Sequence, residues 1–178
     1  MFTLVVGGAA SGKSEYAEQL ILRAGALPRY YVATMEPFGA EARARIARHR
    51  VLRAQKRFET IECPVGLSRV LLPARGAALL ECLSNLAANE LYSPAGAGGE
   101  QAALAAVVDG VESLRRQWEA LVVVTGEVFS GGSAYAGDTG TYLRVLAAAN
   151  RALAARADAV CEVACGLPRY YKGEGAAL

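Results

Sequence analysis

The stretch GGAASGKS, residues 7–14, follows the apolar run FTLVV and satisfies the pattern G-x-x-x-x-G-K-[ST]. Glycines at this spacing let the chain curl so that successive backbone N–H groups converge on one point, and a helix starting there adds its positive end. The chemistry is that of a triphosphate site, a phosphate loop (P-loop). Gly7, Gly8, Ala9, Ala10, Ser11 and Gly12 supply the backbone, Lys13 reaches the β- and γ-phosphates, and the Ser14 hydroxyl ligates Mg²⁺. Lysine stands at only three positions, 13, 56 and 172, and one of them fills the slot the pattern demands.

Magnesium at such a loop needs a second acid at the end of a neighbouring strand. The three aspartates, Asp109, Asp138 and Asp158, do not end an apolar run. Two glutamates do: Glu81 in ALLEC, the first choice for the metal, and Glu127 in VVVTGE, the second. Helix capping or ion pairing would equally explain either one.

A second kind of chemistry is carried by ARIARHRVLR, residues 44–53, which holds the one histidine of the chain, His49, among Arg45, Arg48, Arg50 and Arg53. On a helix over 39–54, Ile46, His49 and Arg53 share a side that faces the body of the protein. The neighbouring guanidinium groups attract anions and disfavour protonation of the imidazole, which keeps it in its nucleophilic form. Periodicity alone favours a structural or surface histidine over a reactive one.

These residues need a scaffold. Apolar runs at 2–6, 29–34, 77–82, 121–125 and 159–164 are continuous, as in strands buried on both faces, and FETIE at 58–62 adds a candidate edge strand. Helical spacing without internal proline covers 13–25, 39–54, 83–92, 100–119 and 141–157. The alternation predicts an α/β fold of three layers, a mostly parallel sheet with helices on both sides, built as one domain over 1–178 with ligands at the carboxyl ends of the strands. SPAGAGGE at 93–100 reads as a surface loop. FSGGSAYAGDTG at 129–140 reads either as an active-site flap or as a plain connection.

Composition narrows the field. An apolar fraction of 53% and a mean hydropathy of +0.23 exclude a disordered chain. A net charge of +2 with scattered arginines does not fit a nucleic-acid binder. Four separated cysteines without a C-x-x-C pair point to free thiols rather than zinc or disulfides. No signal-peptide pattern or membrane-spanning run is present, so the expected location is the cytoplasm. The guanine-reading N-K-x-D pattern and a second P-loop are both missing, leaving a small-molecule kinase or a nucleotidyltransferase.

In addition to these features, the sequence resembles the adenosylcobinamide kinase/adenosylcobinamide-phosphate guanylyltransferase family of cobalamin nucleotide-loop assembly. The likeness runs through GGAASGKS, YVAT at 31–34, RIARHR at 45–50, TIE at 60–62, LLEC at 79–82, EV at 127–128, Asn150, Ala157-Asp158, and GLP at 166–168 followed by Lys172. The chain departs from the family pattern at Phe58, at SNLAANE after LLEC, at GEVF after LVVVT, and at Arg144-Val145.

The resemblance implies a RecA-like P-loop fold, usually assembled as a homotrimer, acting on a corrinoid with GTP, ATP and Mg²⁺. In the first reaction a nucleoside triphosphate phosphorylates the corrinoid hydroxyl. In the second, His49 takes GMP from GTP and passes it to the corrinoid phosphate. It further implies a guanine-nucleotide pocket of Gly7 to Ser14, Ala33, Thr34, Met35, Arg50, Val51, Leu52, Arg53, Glu62 and Glu81. Two other readings remain at this level: a P-loop kinase of another small alcohol in which His49 has no chemical role, and a nucleotide-binding subunit without chemistry.

Overall fold

The computed structural model describes residues 1–25, 27–36, 47, 51, 56–129 and 135–173. Along the chain lie β1 (Phe2–Gly7), α1 (Lys13–Arg23), β2 (Arg29–Ala33), β3 (Phe58–Glu62), a 3-10 turn (Leu67–Arg69), β4 (Ala77–Glu81), α2 (Leu83–Tyr92), α3 (Glu100–Gln117), β5 (Ala120–Gly126), α4 (Gly137–Arg156), β6 (Ala159–Ala164) and β7 (Leu167–Lys172). The strands form one sheet in the order β3-β2-β4-β5-β1-β6-β7, parallel throughout except for β7. This is the α/β P-loop fold that the sequence predicts. The helix expected over 39–54 lies almost wholly outside the described residues.

Why the strands are continuously apolar follows from the two cores. Tyr16, Ala17, Leu20 and Ile21 of α1 pack on Val5, Leu79, Val122, Val124 and Cys161. On the opposite face, α2, α3 and α4 pack on Leu4, Leu80, Leu121 and Val123. Consecutive strand residues point to opposite faces, so a strand covered on both needs an apolar side chain at every position. The edge strand β3 is covered less and is polar accordingly, with Phe58 buried and Glu59, Thr60 and Glu62 exposed.

Two elements differ from expectation. β7 was not foreseen, because LPRYYK is mostly exposed and carries no alternating signal. It exists because Cys165 and Gly166 both take positive φ, 51° and 78°, the geometry of a two-residue hairpin turn that folds the chain back onto β6. Helix α4 begins at Gly137, not 141, and so takes up the end of the expected flap. Glycines at 137 and 140 hide its start from any propensity argument, yet Asp138 complements the first turn and Tyr92 donates a hydrogen bond to the Asp138 carbonyl. Residues 130–134 of that segment lie outside the described residues.

Several polar residues act as braces. Asp158 accepts from the Phe2 N–H at 2.7 Å and returns its own N–H to the Phe2 carbonyl, fastening β6 to the start of β1. Lys172 donates to the Ala154 and Ala155 carbonyls at the end of α4, where a cation is favoured. Glu90, only 2% exposed, accepts from Gly66 N–H at 2.6 Å and Ala97 N–H at 3.0 Å, tying two loops to α2. Glu90→Ala leaves both donors without their acceptor and opens a gap at a buried position. We expect it to cost about 3 kcal/mol, seen as a fall in Tm of about 6–12 °C by calorimetry, whereas Leu71→Ala at an exposed position leaves Tm unchanged.

Candidate active site

The functional residues gather at the carboxyl edge of the sheet. Ala33, Glu62 and Glu81 end β2, β3 and β4 in one register row, and Gly7 ends β1 opposite Gly126 of β5. From Gly7 the chain turns back on itself: Ser11 N–H donates to the Gly8 carbonyl at 3.3 Å, and Gly12 takes a left-handed φ of 89° as the N-cap of α1. A β-carbon on Gly12 would stand 3.0 Å from the Gly166 Cα, so both backbone angle and space require glycine there. No side chain caps α1, which leaves its first N–H groups to an anion. The loop encloses a cleft of about 300 Å³ lined by Ala10 to Glu15.

Lys13 folds its ammonium over this loop and donates to the Gly8 carbonyl at 2.8 Å. Ser11 Oγ is buried without a hydrogen-bond partner, a polar atom that a phosphate oxygen could satisfy. Ser14, at the start of α1, donates from its hydroxyl to Glu81 Oε1 at 2.5 Å. The other carboxylate oxygen, Oε2, accepts from the Tyr31 hydroxyl. Hydroxyl and carboxylate oxygens side by side are the hard donors that Mg²⁺ takes, so the pair fits the ion. Glu127, the second choice, turns its carboxylate to the Phe129 N–H at 3.0 Å, while its own N–H holds the Gly7 carbonyl at 2.9 Å. The acid that meets Ser14 is Glu81.

Thr34 behaves differently from a ligand contact. It is fully buried, its hydroxyl donates to the Cys82 carbonyl and accepts from the Cys82 N–H, both at 2.8 Å, and Asn89 donates to its carbonyl at 2.8 Å. It is therefore a brace that fixes the turn immediately after Glu81. Burial pushes the Cys82 thiol up, so despite its central place it stays protonated and unreactive. Met35 lines a separate cavity of about 330 Å³ with Asn85, Asn89 and Tyr92. Val51 is exposed, and His49, Arg50, Leu52 and Arg53 lie outside the described residues.

Sequence reasoning assigned no role to Tyr31, Asn89 or Gly166, the first and last entering only within the YVAT and GLP motifs. The first two hold Glu81 and Thr34 in place, and Gly166 donates its N–H to the Ser11 carbonyl at 2.8 Å. Their types carry no local signal, since each acts only through a partner remote in sequence.

Residues 3–170 match the sequence pattern of the family described as cobinamide kinase / cobinamide phosphate guanyltransferase. The chain belongs to this family. The bifunctional adenosylcobalamin biosynthesis protein CobP of Pseudomonas aeruginosa is 31% identical over 179 residues, covering 98% of this chain and 99% of that protein. The bifunctional adenosylcobalamin biosynthesis protein CobU of Salmonella typhimurium is 32% identical over 180 residues, covering 94% and 97%. Among solved structures, the RadB recombinase overlaps with a TM-score of 0.45 at 17% identity, over 90% of this chain and 73% of that one. The flagellar accessory protein FlaH of Methanocaldococcus jannaschii gives 0.47 at 11% identity, over 97% and 78%.

As a member of the cobinamide kinase/guanylyltransferase family the chain is a bifunctional transferase that uses nucleotides. No described helix is long and apolar enough to cross a membrane.

Two outcomes follow from the geometry. Lys13→Ala should weaken GTP binding roughly 10–100-fold by calorimetric titration, the loss of charge-assisted bonds to phosphate. Thr34→Val, which keeps the shape but deletes the bonds to Cys82, should cost about 2 kcal/mol in urea unfolding and lower turnover of nucleotide more than its binding.

Proposed function

We propose that the chain phosphorylates adenosylcobinamide and then transfers GMP from GTP to the product, through a GMP–His49 intermediate, giving adenosylcobinamide-GDP. The observation that carries this reading is the Ser14–Glu81 contact, a hydroxyl and a carboxylate side by side at the P-loop, on the same sheet edge as Ala33 and Glu62. Family membership supplies the two reactions. Mg²⁺ held by Ser14 and Glu81 would neutralise phosphate charge and orient the triphosphate.

In the kinase step, the corrinoid hydroxyl oxygen attacks the γ-phosphorus of a nucleoside triphosphate such as ATP. The bond from that phosphorus to the β–γ bridging oxygen breaks, the nucleoside diphosphate leaves, and the hydroxyl proton passes to solvent. Lys13, freed from Gly8, follows the charge that develops on the bridging oxygen.

In the transfer step, a nitrogen of neutral His49 attacks the α-phosphorus of GTP and pyrophosphate leaves. An oxygen of the corrinoid phosphate then attacks the same phosphorus, the P–N bond breaks, and His49 is restored. Splitting the reaction in two lets one site handle two anionic partners in succession. Arg50 and Arg53 stabilise phosphate charge beside the nucleophile.

The sheet supports a specific direction for GTP. From β1 to β3 there are four strand steps, roughly 19 Å in all at the usual strand spacing. That would suit an extended GTP with its pyrophosphate end in the P-loop and guanine toward Glu62, the α-phosphorus lying roughly one strand step from β1, near the end of β5. The cavity at Met35, with Asn85, Asn89 and Tyr92, lies beyond the ends of β2 and β4 and offers amide and hydroxyl groups suited to the amide-fringed corrinoid.

Incubation with GTP labelled at the α- or the γ-phosphate tests the proposal. The expected result is acid-labile, alkali-stable protein label from the α-position only, absent in His49→Ala although that variant still binds GTP. Wild-type protein that binds GTP and takes no α-label would rule out the covalent route.

A further inference from the structure

We infer that the hairpin tip Cys165–Gly166 carries the base and ribose of the phosphoryl donor in the kinase step, so that one P-loop serves two nucleotides lying in opposite directions. The inference rests on the function proposed above and goes beyond it. Both reactions act at one point of the corrinoid: the hydroxyl that receives phosphate in the first step is the arm whose phosphate receives GMP in the second. That point must therefore face a γ-phosphorus first and an α-phosphorus afterwards. The loop backbone holds phosphate at one place in both steps, so changing which end of the triphosphate faces the acceptor sends the nucleoside to the other flank of the loop.

That flank is built for it. β6 lies beside β1 on the side away from β5 and β4, and its turn into β7 stands directly over the P-loop. Gly166 N–H donates to the Ser11 carbonyl at 2.8 Å, and a β-carbon on Gly12 would stand 3.0 Å from the Gly166 Cα, so the tip lies against the loop. Cys165 and Pro168 are exposed at this tip. Among the described residues the cleft is lined by Ala10 to Glu15, a floor for phosphates without a side chain that could flank a purine ring. The exposed residues Cys165, Leu167 and Pro168 of the hairpin stand beside the loop on this flank.

Cys165 reports on the contact, because Cys63 and Cys161 are buried and Cys82 is partly buried. The intact protein is treated with N-ethylmaleimide and the modification of Cys165 is followed by mass spectrometry, with Cys165→Ser as the blank. Three states are compared: no ligand, Mg²⁺ with the β,γ-imido analogue of ATP, and Mg²⁺ with tripolyphosphate, occupancy of the P-loop being measured by competition with labelled GTP. The nucleotide should slow modification about tenfold, as expected for a surface largely covered by a bound ligand, while tripolyphosphate leaves the rate nearly unchanged. Equal protection by tripolyphosphate would show that the P-loop merely shifts the tip through the Gly166–Ser11 bond, and this would overturn the inference. So would unchanged reactivity with the nucleotide bound.

A second variant reads the same contact in turnover. Cys165→Trp should raise the KM of the phosphoryl donor while α-labelling by GTP continues, and loss of α-labelling with an unchanged donor KM contradicts the inference. Absence of α-labelling in the wild type counts against the covalent route instead, and protection is measured without turnover.

Discussion

The contact from Ser14 to Glu81 is the constraint on which the site depends. β1 and β4 are not neighbours: β5 lies between them, so their ends are about 10 Å apart. For the serine at the start of α1 to reach the acid at the end of β4, the P-loop must set the helix at one height above the sheet, and β4 must end at one register. Gly12 and the pairing of Glu81 with Ala33 and Val124 meet those two demands. A slip of one residue in β4 would turn Glu81 into the opposite face of the sheet.

Around that contact the molecule spends polar groups on holding its parts still. Tyr31 fixes the second oxygen of Glu81, Thr34 locks the following turn, and Asn89 locks Thr34. Beyond β5, Thr125 donates to Asn150 Oδ1 at 2.8 Å and Ser84 accepts from Gly126 N–H at 2.9 Å, binding α4 and α2 to the same edge. Buried bonds of this kind cost little when complete and much when broken, which makes the edge rigid. A rigid edge is what phosphoryl and nucleotidyl transfer require, since their acceleration comes from position and fixed charge.

The central strands and most helices were legible because burial on both faces leaves a continuous apolar record, and the P-loop because its backbone geometry demands glycine at set positions. β7 was not, since two positive-φ residues at a turn decide it rather than the strand itself. Asp158, Asn150 and Lys172 entered the reading only as marks of resemblance, and the structure gives each a mechanical task, at the start of β1, on Thr125 and at the end of α4. Glu81 could be chosen for its place after an apolar run. Tyr31 could not, because a tyrosine within a strand looks like core until the residue across from it is known.

The central claim is that the Ser14–Glu81 pair opens to take a metal while GTP extends over the sheet edge toward Glu62. A crystal structure with Mg²⁺ and the α,β-methylene analogue of GTP, which resists attack at the α-phosphorus, tests it most directly. The account predicts Ser14 Oγ on the ion, the Glu81 carboxylate on the ion or on its water, Lys13 moved from the Gly8 carbonyl to phosphate, and guanine beside Glu62. An ion remote from Glu81, or guanine lying against the Cys165–Gly166 tip in this complex, would contradict it.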